Sequence, residues 1–199
     1  MSIPTLHTSR LILRPFSLED VDAMTQILGQ EDVLRYFPRS DPPPRDRVER
    51  MVQGLIAHWQ ERGYGLWAVE CHSSGELLGR CGLQYLPDTD EVEVDFILGR
   101  DHWGQGYATE AGRASVRYGF RELGFDRIVG IVHTGHVASQ RVLEKLGLER
   151  IERKEFFGMD CYRYAIDRAG FGAEYRRVGT PASLEPERSQ QALGTQHQP

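Results

Sequence analysis

Residues 103–111 read Trp103-Gly104-Gln105-Gly106-Tyr107-Ala108-Thr109-Glu110-Ala111, and the reading of this stretch decides the fold. A β-rich run, Glu91 to Leu98, precedes it, and a helix of roughly 17 residues is predicted from Tyr107 to a stop at Gly124. Two glycines at such a junction let the backbone turn until several N–H groups converge on the helix's unsatisfied, partly positive end. That arrangement can cradle a phosphate. It lacks the Lys-Ser/Thr ending of a P-loop, and Thr109 stands where a dinucleotide fingerprint has its third glycine. Taken alone, the pattern is more simply a glycine turn ahead of a helix.

Along the predicted helix Ala108, Gly112, Ser115 and Gly119 form a stripe of small residues that lets it lie close against a sheet. Beyond it, Arg127 to Val132 reads as a strand, Val137 to Leu146 as a short helix closed by Gly147, and Phe156 to Ile166 as β structure turning at Gly158. On the N-terminal side, Leu11 to Leu13 is a strand stopped by Pro15, and Ser17 with Asp20 resembles a capping box opening a helix to about Leu28. Prolines from Pro38 to Pro44 mark a loop. Val48, Met51, Val52, Leu55, Ile56 and Trp59 recur at helical spacing up to Gly63. Leu66 to Glu70, Leu77 to Tyr85 and Glu91 to Leu98 then read as an antiparallel meander. The fold class is mixed α/β (α+β). Residues 1–171 are expected to form one domain, and residues 172–199, poor in aliphatics, a flexible tail.

The chain has 199 residues, 40% of them hydrophobic, enough for one self-sufficient core. Its formal net charge of −5 excludes a global positive field for nucleic acid or anionic lipid, so any anion site must be local. No apolar run approaches the roughly 20 residues that span a bilayer and the start has no signal-peptide pattern, so neither export nor membrane insertion is expected, and the scattered cysteines fit a reducing cytoplasm. Cys71, Cys81 and Cys161 are too scattered for a disulfide framework or a zinc knuckle. His133 and His136 form an HxxH pair without further ligands nearby, and no metal is expected. A monomer or a homodimer is expected.

A second motif follows the first: His136-x-x-Ser139-x-x-Val142-Leu143-Glu144-Lys145-Leu146-Gly147-Leu148. Together with the opening Thr8-Ser9-Arg10-Leu11-Ile12-Leu13-Arg14-Pro15, the two motifs resemble the signatures of the GNAT N-acetyltransferases, in particular the branch of ribosomal-protein alanine acetyltransferases. The resemblance spans residues 8–168. It implies a mostly antiparallel sheet with one splayed parallel strand pair, flanked by about four helices. It also implies direct transfer of an acetyl group from acetyl-CoA to a primary amine, either a peptide N-terminus or a small cationic amine. The cofactor diphosphate would sit on Gly104, Gln105, Gly106, Tyr107, Ala108 and Thr109, beside Trp103. Its pantetheine arm would run between Glu93–Leu98, at Ile97 and Leu98, and Arg127–Val132, pairing like an extra strand.

The resemblance also assigns roles. Glu93 matches a position that often carries the base acting through water, with Asp95, two residues on along the same face, as the second candidate. The alternative is that Glu91, Glu93 and Asp95 form a solvated strand face, with Val92, Val94 and Phe96 turned to the core. Ser139 matches a proton donor near the cofactor sulfur, or a helix-start cap. His136 replaces the usual asparagine in contact with the cofactor arm, and its imidazole can itself titrate. Asp95 replaces glycine, and Leu143 occupies the position where many relatives carry tyrosine. Arg141 and Lys145 either reach a CoA phosphate or lie on a solvated helix face. Tyr36, Phe37, Trp59, Tyr85, Phe156 and Phe157 come from segments that border the acceptor cleft, although the spacing of Trp59 is that of a core residue. Negative charge at Glu91, Glu93 and Asp95 would favour a cationic acceptor. A catalytically idle acyl-CoA-binding domain and a nucleotide-phosphate enzyme are the competing readings.

Overall fold

Hydrophobic periodicity accounts for most elements of the computed structural model, which describes residues 3–177. In chain order they are β1 (Leu6–His7), β2 (Leu11–Arg14), α1 (Val21–Gly29), α2 (Arg45–Arg62), β3 (Leu66–Cys71), β4 (Leu77–Leu86) and β5 (Glu91–Leu98). There follow α3 (Tyr107–Arg121), β6 (Arg127–His133), α4 (Val137–Lys145), β7 (Glu149–Phe156), β8 (Met159–Asp167) and α5 (Arg168–Arg177). Single 3₁₀ turns precede α1 and the glycine loop. At the first of them the Asp20 carboxylate accepts the Ser17 N–H at 2.8 Å, as a capping box requires, and the Arg14 guanidinium grips the same carboxylate.

The strands form one eight-stranded sheet in the order β1-β2-β3-β4-β5-β6-β8-β7. Every neighbouring pair is antiparallel except β5 and β6, which run parallel and register only at Glu93 and Val129. From that point they diverge. Each keeps its outer edge bonded, β5 to β4 and β6 to β8, so the two inner edges face an open split. Side chains alternate between faces. Val94 and Leu98 pack with α3 in the larger core, whereas Ile97 joins the core under α1 and α2, and Glu91, Glu93 and Asp95 share the face of Ile97.

The small stripe of α3 works as expected. A Cβ on Gly119 would lie 2.8 Å from Ile128 and Leu83 of the sheet, and one on Gly112 would lie 2.7 Å from Leu146 next to α4. On the sheet side, a Cβ on Gly130 would come 2.7 Å from Leu143 of α4. These close approaches fix both helices over β4 and β6, and so aim the N-terminus of each at one end of the split.

The structure adds two strands. β1 is too short for a periodic signal. β7 (Glu-Arg-Ile-Glu-Arg-Lys-Glu-Phe) is an edge strand exposed from Glu149 to Glu155, so it buries no alternating face that could betray it, and its charges blunt the open edge. α5 includes residues 172–177 of the expected tail, and the rest, 178–199, lies outside the described residues. Among the described residues no helix is long and apolar enough to cross a membrane, and no group of three or more His, Cys, Asp or Glu side chains is placed to hold a metal ion.

Candidate active site

Gly104 and Gly106 both adopt left-handed backbone, with φ of 74° and 83°. No atom would crowd a side chain at Gly104, and at Gly106 a Cβ would meet only Arg10 Nη2, at 3.6 Å. The loop therefore presents bare backbone to solvent. The first α3 amide with an internal partner is that of Glu110, bonded to the Gly106 carbonyl at 3.0 Å. Among the described residues none of the amides from Gly104 to Thr109 donates to a protein acceptor. Unpaired N–H groups at the positive end of a 15-residue helix, on a loop clear of side chains, fit a diphosphate. The Trp103 indole donates to the Leu98 carbonyl at 2.8 Å and anchors the loop to the end of β5, while its ring stays 44% exposed. The Gln105 side chain donates to the Asp101 carbonyl, which leaves its backbone to face the site.

The split between β5 and β6 opens toward this loop, and Glu93 sits at its apex. Glu93 is 6% exposed. Its Oε1 accepts the Ile131 N–H at 3.0 Å, the amide that a continued parallel ladder would have bonded, and its Oε2 accepts from the Gln84 amide at 2.8 Å. Burial, reinforced by the neighbouring Asp95 carboxylate, pushes the Glu93 carboxyl up to about 8 against the pull of its two donors. A carboxyl poised there can accept a proton near neutrality, as a general base must.

The solvated-face reading of Glu91, Glu93 and Asp95 does not hold, because the neighbouring strands cover all three. Asp95 pairs with Arg80 of β4 at 2.9 Å, and Glu91 pairs with Arg163, which reaches across from β8 and also bonds Glu152 of β7 at 2.9 Å. Arg80 and Arg163 thus offset the outer carboxylates, and Glu93 is held toward its neutral form. The outer carboxylates are paired, although with Glu152 sharing Arg163 they still outnumber the two guanidinia. The floor keeps unused polar capacity, since Arg80 Nε, Arg163 Nε and Glu91 Oε2 are buried without hydrogen-bond partners.

The second motif forms the other wall. His136 immediately precedes α4, where burial, aided by nearby His133, lowers its pKa, and its ring stacks on Tyr36 at 4.5 Å. His133 Nδ1 accepts the Gly135 N–H at 2.9 Å, a local turn contact. Ser139 is the third helical residue, half-buried, and its hydroxyl makes no cap bond and has no partner among the described residues. Arg141 and Lys145 are exposed.

The aromatic residues divide. Tyr36 touches the site through His136, and Phe37 packs on the core beneath α1 and α2. Trp59 is buried, its indole bonded to the Leu66 carbonyl. Tyr85, adjacent to Gln84 in β4, falls on the opposite face under Arg62, with its hydroxyl on Asp90. Phe156 is buried, and Phe157 is exposed at the β7–β8 turn with φ of 55°. Sequence reasoning missed Gln84, Arg80 and Arg163. Gln84 and Arg80 follow from the β4–β5 register and its alternation, but Arg163 needs the β6–β8 pairing, which no local signal reveals.

Comparison with known proteins agrees with this geometry. Residues 10–149 match the family model described as an acetyltransferase (GNAT) domain. The chain is 32% identical over 148 residues to an uncharacterized N-acetyltransferase, YoaA, of Bacillus subtilis, covering 74% of this chain and 84% of that one. It is 27% identical over 179 residues to spermidine N(1)-acetyltransferase of Escherichia coli, covering 87% and 91%. Among solved structures, a ribosomal L7/L12 α-N-protein acetyltransferase, RimL, in complex with coenzyme A superposes with a TM-score of 0.70 at 19% identity, covering 84% of this chain and 98% of that one. With a family model matched over residues 10–149 and a relative 32% identical over 74% of its length, the chain belongs to the GNAT acetyltransferases.

Proposed function

We propose that the protein is an N-acetyltransferase that moves an acetyl group from acetyl-CoA to a primary amine, with Glu93 as the base. One observation carries this reading: a buried carboxylate with a raised pKa closes the apex of the same β5–β6 split whose mouth is lined by unpaired loop amides. When bound, acetyl-CoA supplies the thioester carbon that the amine attacks and the thiolate that leaves. The amides of Gly104 to Thr109 hold its diphosphate, with Trp103 fixing the loop, and the free edges of β5, at Ile97 and Leu98, and of β6 take the arm. His136 contacts that arm. Glu93 takes the proton that the attacking nitrogen must lose, directly or through one water, and the Ser139 hydroxyl gives its proton to the departing sulfur while taking one from solvent in its place. Asp95, tied to Arg80, tunes Glu93 and does not act as base. Arg141 flanks the cofactor from α4.

The pairing of Glu91 and Asp95 with arginines leaves little free negative charge for a polycation and favours an acceptor with one amine. An α-amino group, with pKa near 7.8, costs only about 1 kcal/mol to deprotonate at pH 7, whereas a lysine-like amine at about 10.4 costs nearly 5 kcal/mol. A peptide N-terminus, or a small monoamine of similarly low pKa, therefore suits a base of this strength, even though one relative is named for spermidine. We place the enzyme in the cytoplasm, where Cys71, Cys81 and Cys161 remain free thiols.

The test is release of free thiol from acetyl-CoA with peptides, small monoamines and spermidine, checked by mass for acetylated product. Amine-dependent release is expected, with kcat/KM for a peptide or monoamine at or above that for spermidine. CoA binding without turnover on any amine would refute the enzyme reading and favour a sensing domain. Strong preference for spermidine would refute the acceptor assignment alone.

A further inference from the structure

Arg10 and Glu110 stand 100 residues apart in sequence and meet beside the glycine loop. The Glu110 carboxylate is fully engaged. Its Oε1 accepts from Thr8 Oγ1 at 2.7 Å, from Ser9 Oγ at 3.0 Å and from the Arg10 N–H at 2.9 Å, while its Oε2 takes Arg10 Nε at 2.7 Å and Nη2 at 2.6 Å. Arg10 Nη1 donates to the Gln105 carbonyl at 3.0 Å, inside the loop, and the guanidinium lies 4.4 Å from the centre of the Tyr107 ring. Nη2 is also the atom nearest to the open side of Gly106.

We propose that Arg10 is the positioning residue of the diphosphate loop: pinned by Glu110, it turns the Gln105 carbonyl away from the bound anion and shields the anion from the Glu110 carboxylate. This rests on the cofactor reading given above. A carboxylate in the first turn suits the helix dipole but repels a diphosphate bound at that turn. A loop carbonyl free to rotate would also set a partial negative charge among the donating amides. One planar guanidinium answers both difficulties, because its fork engages a carboxylate and a carbonyl at once. Three of its five N–H groups are spent on Glu110 and Gln105, and two remain for solvent or for phosphate oxygen. Lysine carries the charge but not the fork.

The experiment compares wild type with Arg10→Met and Arg10→Lys on two donors, acetyl-CoA and acetyl-pantetheine, which has the thioester but no diphosphate. With acetyl-CoA, Arg10→Met is expected to raise KM about tenfold or more with kcat within twofold of wild type. With acetyl-pantetheine the variant and wild type are expected to agree within twofold in both constants. Arg10→Lys should fall between. Equal losses on both donors would show a role in the fold at large, and an unchanged KM for acetyl-CoA or full recovery in Arg10→Lys would also overturn the proposal. Should Arg10→Met fail to fold, Glu110→Gln decides by titration with CoA: a freed guanidinium weakens binding several-fold, whereas an Arg10 acting only as a charge gives tighter binding once the carboxylate is gone. Absence of CoA binding by the wild type would instead refute the cofactor reading itself.

Discussion

Replacing Glu93 with glutamine keeps an oxygen for the Ile131 N–H and the volume of the side chain, but removes the proton site. The ordinary glutamate value is 4.5, and burial beside Asp95 pushes this carboxyl to about 8. Between those two pH values the folded protein holds a proton that the unfolded chain has released. Stability must then fall as pH rises, with no penalty below pH 4.5 and the full penalty above about 8. At about 1.4 kcal/mol per pH unit the whole window is worth up to about 5 kcal/mol, and solvent relaxation around the charged form brings this to about 2–5 kcal/mol. The glutamine variant has no such slope. Urea unfolding followed by the fluorescence of buried Trp59 and Trp67 at pH 5, 6, 7 and 8 measures it. The variant should be no more stable than wild type at pH 5, and should gain on it by about 2–5 kcal/mol by pH 8. Parallel stability curves would refute a buried, proton-holding Glu93.

Gly106→Val forces a β-branched side chain into left-handed backbone and into the open face of the loop, so CoA binding by calorimetry should be lost, and the backbone strain should cost about 1–3 kcal/mol of stability without abolishing the fold. Retained affinity would remove the loop from cofactor binding. Ser139→Ala deletes a hydroxyl that bonds nothing among the described residues, and kcat should fall about tenfold or more with CoA affinity and stability unchanged; an unaltered kcat would leave thiolate protonation to water. Gly130→Ala puts a methyl 2.7 Å from Leu143 and should cost about 1–3 kcal/mol in chemical unfolding, because α4 must back away from β6. A neutral effect would mean that the α4 contact is looser than the structure has it.

The elements that bury a periodic face were legible in the chain. The small stripe from Ala108 to Gly119, the turn at Gly104–Gly106 and the helix around Leu143 and Leu146 all carry local signals, and each sits where its pattern implies. Glu93 was legible as a position but not as an environment. Its burial depends on the order β4-β5-β6-β8, which brings Gln84, Arg80 and Arg163 around it from three other strands. The pairing of the acidic face went unseen for the same reason, since a charge read along one strand says nothing of the cations facing it from the next. Ion pairs between distant segments, Arg10 with Glu110 above all, leave no periodic trace, and the charged edge strand β7 leaves none because it buries almost nothing.

The most direct test of the central claim, that Glu93 is the base of amine acetylation, is the ratio of kcat/KM for wild type to that for Glu93→Gln across pH 6 to 9 with one peptide acceptor. Titration of the acceptor is common to both enzymes and cancels in the ratio. Glutamine mimics the protonated acid, so the ratio should lie near one at low pH, climb as the carboxylate forms with its midpoint near pH 8, and flatten only above that. A ratio that does not change with pH, or that stays at one throughout, would contradict the claim.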